Sequence, residues 1–379
     1  MKLKAIEQGD IGLSASFENG AESLYPYIWL RDNDPSGFHP DTKERTFDLT
    51  SVALDIRPHN VRFTADSLSL EWPGSDSTCT FDADWLFRHR LGTRRFDPAN
   101  VMQKTWSADS LGELPRFHAK DCRDDPRQLA AMLHAFKQIG IVVIDRLADD
   151  PHSGERFGDL IGFKRETNYG VMFEVKNKPD PINLAYTALS LPLHTDLANQ
   201  ELIPGAQFLH CIVNGADGGD SVFADGFQVC RDLADEEPDV FDVLKKFSVP
   251  WRFYDESCDL IARWPVIRQK DDGQFDALTF NAHLADIPDL EPDDMVTFYA
   301  AYQNLMRRIR SDRYRFEYRL EPGEMVIMAN RRVLHGRTGF DPNSGPRHLR
   351  GYYIDWNEID SRLRVLYREY PETAPHLPA

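Results

Sequence analysis

The residues best suited to chemistry are a histidine and an aspartate two positions apart, in the segment Leu193-His194-Thr195-Asp196. In an extended segment, side chains at i and i+2 point to the same side, so both can bind one metal ion. An imidazole and a carboxylate completed by a distant histidine form a three-ligand set typical of non-heme Fe(II) sites, which leaves other positions on the metal open. The segment therefore predicts two of three metal ligands.

The same spacing also occurs at His39-Pro40-Asp41, so the pattern must be judged by residues elsewhere in the chain. His335 follows a strand-like run, and Arg347 comes twelve positions later, at the start of the strand-like segment RHLRGYYIDW. Neighbouring strands of a β-barrel could place these two side chains across one cavity. His335 would complete the metal site, and the planar, charged Arg347 suits bidentate binding of a carboxylate. We interpret the copy at 39–41 as chance.

Composition limits the classes of partner. The chain has 379 residues, of which 41% are hydrophobic, and a formal net charge of -17. The charge opposes binding to nucleic acid or to an anionic membrane and is typical of a solvated acidic surface; it is compatible with a cationic substrate. Five scattered cysteines without C-x-x-C spacing predict reduced thiols. With no signal-like N-terminus and no run of roughly 18 apolar residues, we expect a soluble, cytoplasmic protein.

The elements that must position these residues divide the chain into three regions. Residues 1–100 are rich in short alternating segments, and VRFTADSLSLEW (61–72) predicts a β-hairpin. No long helical pattern precedes Asp82–Arg90, so this region predicts a small β-rich domain. Residues 101–124 carry scattered glycine, proline and charge and predict a connector.

The third region, residues 125–379, predicts a mainly β domain with flanking helices. A helix should begin at a cap on Asp124 or Asp125 and end at Gly140, before a buried strand at Ile141–Ile144. A second helix is predicted at Pro238–Phe247. Many short strands with few helices favour a barrel or sandwich over βαβ units. The further strand-like runs are Gln207–Val213, Met325–Met328 and Gly351–Trp356.

Strings of residues along nearly the whole chain resemble the γ-butyrobetaine hydroxylase and trimethyllysine hydroxylase branch of the taurine-dioxygenase-like oxygenases. These strings are Trp29-Leu30-Arg31-Asp32-Asn33, Ala83-Asp84-Trp85-Leu86, Asn183-Leu184-Ala185-Tyr186-Thr187, His194-Thr195-Asp196, Leu209-His210-Cys211, Gly218-Gly219-Asp220-Ser221, Asp225-Gly226-Phe227, Leu334-His335-Gly336-Arg337 and Arg347-His348-Leu349.

The resemblance implies a double-stranded β-helix (jelly-roll) catalytic core, an N-terminal β-rich domain and a homodimer. It implies iron ligation by His194, Asp196 and His335. It also implies that Arg347 binds the C5 carboxylate of 2-oxoglutarate, with Ser221 as a second candidate nearby. Members of this family use Fe(II), 2-oxoglutarate and O2 to hydroxylate a small substrate, while the protein supplies position and a dry site. Neither nucleic acid nor membrane is an expected partner.

For the substrate, the resemblance implies an aromatic cage around a trimethylammonium group. A quaternary ammonium has no N–H to donate, so ring faces are its natural partners. Phe173 stands where the family often has tryptophan. The matching positions are Tyr169, Phe173, Tyr186 and Tyr353.

Two departures from the family pattern restrict these expectations. The N-terminal cysteines that usually bind zinc fall on Asp34, Ser36 and His39, so no structural zinc is predicted. Of the two asparagines that hold the carboxylate of γ-butyrobetaine, Asn183 matches the first, but the second falls on Ala282. Either Asn281 or His283 substitutes, or the acid differs.

Three alternatives to γ-butyrobetaine hydroxylation remain open on sequence alone. A relative that hydroxylates 2-(trimethylammonio)ethylphosphonate would share the mechanism and differ in the acid. A zinc hydrolase could use the same three ligands, but Arg347 would then have no role. A non-catalytic binding protein for quaternary ammonium compounds would not need the metal ligands.

Overall fold

The computed structural model describes residues 1–75, 77–93, 95–176 and 187–375. The chain divides into two compact units, Met1–Asp97 and Pro98–Ala379. In the described parts of the chain, no helix combines the length and the apolar content that crossing a bilayer requires.

The first unit contains two three-stranded antiparallel sheets, β1-β2-β3 and β4-β5-β6. The predicted hairpin is confirmed: β4 and β5 pair with Val61 opposite Leu70. In β5 the buried side chains Leu68 and Leu70 alternate with more exposed ones, as a sheet with one face in the core requires. The elements are β1 (Leu3–Gln8), β2 (Gly12–Phe17), β3 (Glu22–Pro26), α1 (Tyr27–Asp32), β4 (Asn60–Phe63), β5 (Ser67–Glu71), β6 (Thr78–Asp82) and α2 (Ala83–Arg88), with short 3-10 turns at Pro35–Gly37 and Leu49–Ser51.

The second unit begins with short elements in the stretch for which the sequence suggests a connector. They are α3 (Ala108–Leu111), β7 (Arg116–His118) and α4 (Ala119–Asp124). The helix predicted next is confirmed as α5 (Pro126–Ile139): the Asp125 side chain accepts from Arg127 N, and Gly140 ends the helix with a left-handed φ of 87°. The predicted strand follows as β8 (Ile141–Asp145).

The remaining elements of the second unit are mostly strands, and the predicted second helix is confirmed as α8. In chain order they are α6 (Ser153–Gly158), β9 (Lys164–Arg165), β10 (Phe173–Lys176), β11 (Leu191–His194), β12 (Ala206–Asn214), β13 (Ser221–Asp225), α7 (Gly226–Glu236), α8 (Pro238–Lys246), β14 (Ser248–Tyr254), β15 (Asp259–Pro265), β16 (Ile267–Gln269), β17 (Phe275–Leu278), α9 (Pro292–Ile309), β18 (Phe316–Tyr318), β19 (Met325–Ala329), β20 (Val333–Arg337), β21 (Arg347–Ile354), α10 (Trp356–Glu369) and a 3-10 turn at Pro371–Thr373.

Two sheets of this unit position the candidate site. The larger has the strand order β10-β21-β12-β19-β8-β7, with β9 also pairing with β21, and the smaller has the order β11-β20-β13-β18. Pairing is antiparallel except between β7 and β8. Side chains of both sheets share one core cluster, which includes Val143, Cys211 and Met328 from the larger sheet and Phe223 and Val333 from the smaller one.

Strand β8 shows why its sequence is apolar at four successive positions. Ile141 and Val143 belong to the cluster shared by the two sheets, whereas Val142 and Ile144 pack on the other face with helices α5 and α10. A strand buried on both faces reads as a continuous apolar run. The fold is mainly β with flanking helices.

Candidate active site

Strands β11 and β20 bring the two predicted histidine ligands together. The strands pair with His194 opposite His335, and the ring centroids lie 4.4 Å apart. Asp196 follows β11, with Oδ1 3.1 Å from His194 Nε2 and Oδ2 3.6 Å from His335 Nε2. One ligand atom from each of the three residues lies within 4.8 Å of the others, and the described part of the chain holds no other such group of three.

Neighbouring groups fix the orientation of these ligands. His194 Nδ1 lies 2.9 Å from the carbonyl oxygen of Pro192, so this nitrogen carries the proton and Nε2 presents its lone pair. Asp196 Oδ2 accepts from Gln207 Nε2 at 2.6 Å and from the Tyr353 hydroxyl at 2.7 Å. Partners of this kind lock a ligand for a metal and tune its basicity.

The backbone around Asp196 is held as well. Asn330 Oδ1 accepts from Asp196 N at 2.8 Å, and Asn330 Nδ2 donates to Asp196 O at 3.0 Å. The next residue, Leu197, has a left-handed φ of 57°, which a leucine rarely adopts. The chain therefore turns just after Asp196, in a backbone conformation that leucine disfavours.

Electrostatics favour a cation among the three ligands. Burial alone would raise the pKa of Asp196, but His335, His194 and the Tyr353 hydroxyl hold it well below its ordinary value. Burial lowers the pKa of His335 to about 4, which leaves that ring neutral. Burial also opposes a charge on His194, but hydrogen bonding and attraction to Asp196 raise its pKa. A divalent cation would supply the positive charge that Asp196 otherwise draws onto His194. Two imidazoles and one ionised carboxylate match the ligand set of non-heme Fe(II).

The cluster lies in a cavity of about 310 Å³ that also contains Arg347. Arg347 Nη2 donates to the carbonyl oxygen of Gly219 at 3.0 Å, and Arg347 Nε is buried without a hydrogen-bond partner in the described structure. A Cβ on Gly219 would come within 2.8 Å of Arg347 Nε, and Gly219 has a φ of 75°, so glycine is required there. Burial, followed by the charge of Arg337, lowers the pKa of Arg347 to about 10.

A second arginine, Arg337, lines the same cavity and is 5% exposed. Its Nη2 donates to the carbonyl oxygens of Thr187 and Leu189 at 2.8 and 2.6 Å. Ser221 lies opposite Arg337 in the pairing of β13 with β20 and also lines the cavity. Two guanidinium groups and a hydroxyl at one cavity form a natural site for a carboxylate.

Aromatic side chains form another part of the lining. Phe173 and Tyr353 stack with centroids 5.2 Å apart, and Tyr169 meets Phe253 edge to face at 5.8 Å. Phe173 stands opposite Gly351 in the sheet, and a Cβ on Gly351 would come within 2.3 Å of Phe173 Cζ. The glycine therefore makes room for the ring.

The remaining predicted substrate residues are Asn281, Asn183 and Tyr186. Asn281 lines the cavity, donates from Nδ2 to Thr195 O at 3.1 Å and accepts at Oδ1 from His283 N at 3.1 Å. His283 also lines the cavity. Asn183 and Tyr186 lie outside the described residues.

Sequence reasoning did not single out Gln207, Arg337 or Phe253 as site residues. Arg337 had a signal: it lies two positions after His335 in a strand, and so points to the same side of the sheet. Gln207 and Phe253 had none, because their place at the site depends on the pairing of distant strands.

In the first unit, Asp34, Ser36 and His39, the positions at which the sequence lacks the expected zinc-binding cysteines, take part in local hydrogen bonds. Asp34 is 2% exposed; its Oδ1 accepts from Ser36 N and Oγ at 2.9 and 2.8 Å, and its Oδ2 lies 3.6 Å from Arg31 Nη1. His39 Nδ1 accepts from Asp41 N and Thr42 N. In the second H-x-D copy the histidine thus caps its own turn.

Comparison with known proteins identifies the class. The model of the family "Taurine catabolism dioxygenase TauD, TfdA family" matches residues 107–353. Gamma-butyrobetaine dioxygenase of Pseudomonas sp. (strain AK-1) is 34% identical, over 94% of this chain and 94% of the relative, and the human protein of that name is 31% identical, over 91% and 92%. Mitochondrial trimethyllysine dioxygenase of Bos taurus is 26% identical, over 90% of this chain and 82% of the relative.

The chain belongs to the TauD/TfdA dioxygenase family and is an enzyme of that class. These relatives also confirm the branch predicted from sequence, that of the γ-butyrobetaine and trimethyllysine hydroxylases.

Proposed function

We propose that this protein is an Fe(II)- and 2-oxoglutarate-dependent dioxygenase that hydroxylates a small trimethylammonium-bearing acid, γ-butyrobetaine or a close analogue. The observation that carries the proposal is one cavity that combines the His194–Asp196–His335 cluster, Arg347 and two aromatic pairs. Relatives named gamma-butyrobetaine dioxygenase support the choice of substrate.

In this proposal His194, Asp196 and His335 hold the metal. Fe(II), when bound, supplies the oxygen activation by which 2-oxoglutarate, O2 and a substrate C–H yield succinate, CO2 and a C–OH. Arg347 binds the C5 carboxylate of 2-oxoglutarate, with Ser221 beside it. Because the guanidinium is already desolvated, it binds an anion more strongly than a solvated arginine would.

The aromatic pairs bind the other reactant. Tyr169, Phe173 and Tyr353 present rings to the cavity, and we place Tyr186 in the same role from the family resemblance. Asp196 is the one acidic residue in the described lining, so ring faces and not a carboxylate neutralise the ammonium group. The same walls keep water from the reacting carbon.

The larger organisation is part of the proposal. The two larger sheets of the second unit would be the halves of a double-stranded β-helix, because they share a core and the smaller of them holds His194 and His335 on adjacent strands. Residues 125–379 would form the oxygenase domain and residues 1–100 a β-rich domain, with residues 101–124 as a connector that also supplies β7 to the larger sheet. The protein would act as a homodimer on a zwitterionic substrate, without nucleic acid or a membrane as partner.

A substrate panel tests the proposal. Purified protein with Fe(II), 2-oxoglutarate and ascorbate should form succinate together with a product heavier by one oxygen when it is given γ-butyrobetaine. 2-(Trimethylammonio)ethylphosphonate belongs in the panel because Ala282 replaces the expected carboxylate contact. Consumption of 2-oxoglutarate that no trimethylammonium compound stimulates would refute the substrate assignment.

A spectroscopic measurement tests the metal assignment. Anaerobic addition of Fe(II) and 2-oxoglutarate should produce a weak visible absorption band, and the His194→Ala variant should lose it. Absence of the band together with zinc-dependent hydrolysis of an ester or amide would favour a zinc hydrolase.

A further inference from the structure

The segment Asn281–Asp286 forms a fixed wall of the cavity. Arg252 N donates to Leu284 O, and Asp286 N donates to Pro250 O, each at 2.8 Å, so the segment runs along β14. Leu284 N and Ala285 N both donate to Asn281 O at 3.1 Å, which closes a turn between these residues. The side chains of Asn281, His283 and Leu284 line the cavity from this wall.

The amide of Asn281 has a positioning role. It is 5% exposed, and it donates to the carbonyl oxygen of Thr195, the residue between His194 and Asp196. Its oxygen accepts from His283 N and so shapes the turn. Through these two hydrogen bonds, Asn281 connects the wall to the segment His194–Asp196.

His283 is a polar side chain of this wall whose ring nitrogens are available to bind a ligand. No described residue forms a hydrogen bond or ion pair with the ring. Ala282, immediately before it, has no polar group to offer. Partial burial, followed by the charges of His194 and Arg310, lowers the pKa of His283. A ring N–H that lines the cavity and has no described partner can donate to an anion bound there.

We propose that His283 binds the acidic group of the substrate, with Asn281 acting as a positioning residue. This inference rests on the proposed function and names the recognition of the acid end at the same site. Carboxylate and phosphonate both present anionic oxygens that accept from an imidazole N–H. The ammonium end would meet the two aromatic pairs, so different side chains of one cavity would bind the acid and the cation.

The test is a cycle that combines a variant with a truncated ligand. His283→Ala is compared with the unaltered protein for γ-butyrobetaine and for butyltrimethylammonium, which lacks the acid; KM is measured for the first compound and the inhibition constant for the second. A charge-assisted hydrogen bond at a partly exposed site predicts roughly a tenfold loss for γ-butyrobetaine. For butyltrimethylammonium the change should stay within about twofold, because the missing acid has no contact to lose. If 2-(trimethylammonio)ethylphosphonate is the better substrate, it is paired with ethyltrimethylammonium instead.

Two variants serve as controls. His283→Gln keeps an N–H donor and should recover most of the affinity for the acid. His59→Ala removes a histidine that is 56% exposed and does not line the cavity, and it should change neither constant. The KM for 2-oxoglutarate should be unchanged in all three variants, since Arg347 and not His283 is assigned to the co-substrate.

The outcomes separate this inference from the proposed function. An equal loss for both ligands would show that His283 only shapes the cavity, and the inference would be wrong. No loss for either ligand would also overturn it. If the unaltered protein turns over no trimethylammonium acid at all, the proposed function itself fails.

Discussion

Tyr353 belongs to both halves of the candidate site, so two substitutions at this position can separate them. Its hydroxyl donates to Asp196 Oδ2 at 2.7 Å, and its ring stacks on Phe173 with centroids 5.2 Å apart. Tyr353→Phe removes the hydroxyl and keeps the ring, whereas Tyr353→Leu removes both. The first variant should weaken metal binding alone, and the second should weaken metal and substrate binding together.

The structure sets the size of the first effect. A hydrogen bond to a charged group contributes about 1.5–3 kcal/mol, which corresponds to roughly 10- to 100-fold in a binding constant. Gln207 Nε2 donates to the same oxygen at 2.6 Å and remains in the variant. The lower end, about tenfold in Fe(II) affinity, is therefore expected for Tyr353→Phe.

The assay is a titration of the apoprotein with Fe(II), with substrate-stimulated succinate formation as the readout. At saturating Fe(II), the KM of Tyr353→Phe for the trimethylammonium substrate should stay within about twofold of the unaltered value. Phe173→Leu is the matched control. It removes the ring that stacks on Tyr353 and leaves the hydrogen bond from Tyr353 to Asp196 in place. It should raise the substrate KM and leave the Fe(II) requirement unchanged. An unchanged Fe(II) requirement in Tyr353→Phe, accompanied by a raised substrate KM, would refute this division of roles.

Three further predictions concern other parts of the second unit. Arg347→Ala should raise the KM for 2-oxoglutarate by at least about tenfold, and an unchanged value would contradict the assignment. Phe253→Leu should weaken binding of the trimethylammonium substrate by roughly 3- to 30-fold but leave its neutral tert-butyl analogue unaffected, as measured by inhibition constants; equal losses would indicate packing instead of attraction to the cation. Arg332→Met should lower the free energy of unfolding by about 3–5 kcal/mol in urea titrations, because Asp225, 0% exposed, loses a partner at 2.8 Å. Arg315→Met, which breaks an exposed pair, should cost less than about 1 kcal/mol, and a similar loss in both variants would refute the argument.

Local signals in the sequence were sufficient for some elements. Helix α5 begins after Asp125 and ends at Gly140, and aspartate and glycine are strongly preferred at the start and the end of a helix, respectively. Strand β8 is apolar at four successive positions because both of its faces are covered. Such features depend on neighbouring residues and can be predicted without the rest of the chain.

Short elements held by distant partners could not be predicted in this way. Strand β7 has three residues, too few for a periodic pattern, and it exists because it pairs in parallel with β8. Its stretch therefore suggests only a connector. The contact of Gln207 with Asp196 likewise follows from where β12 begins relative to the end of β11, and not from any motif.

The cluster of candidate metal ligands was predicted because the spacing of His194 and Asp196 agrees with the presence of His335 and Arg347 later in the chain. His194 and Asp196 are two positions apart, but the copy at His39 has the same spacing and forms a turn instead. What distinguishes the first copy is the pairing of His194 with His335 across two strands. The family strings conveyed that long-range information, which the H-x-D pattern alone does not contain.

The net charge of -17 gives no indication of the charge inside the cavity. Among the described lining residues, Asp196 is the one carboxylate, and Arg337 and Arg347 are both present. A carboxylate placed near the ammonium group would compete with Asp196 for the metal and would repel the anionic co-substrate. Ring faces attract a quaternary ammonium without either effect, since they carry no net charge. Aromatic residues can therefore attract a cationic substrate beside a metal and a dicarboxylate, and their number in the sequence does not indicate where in the fold they meet.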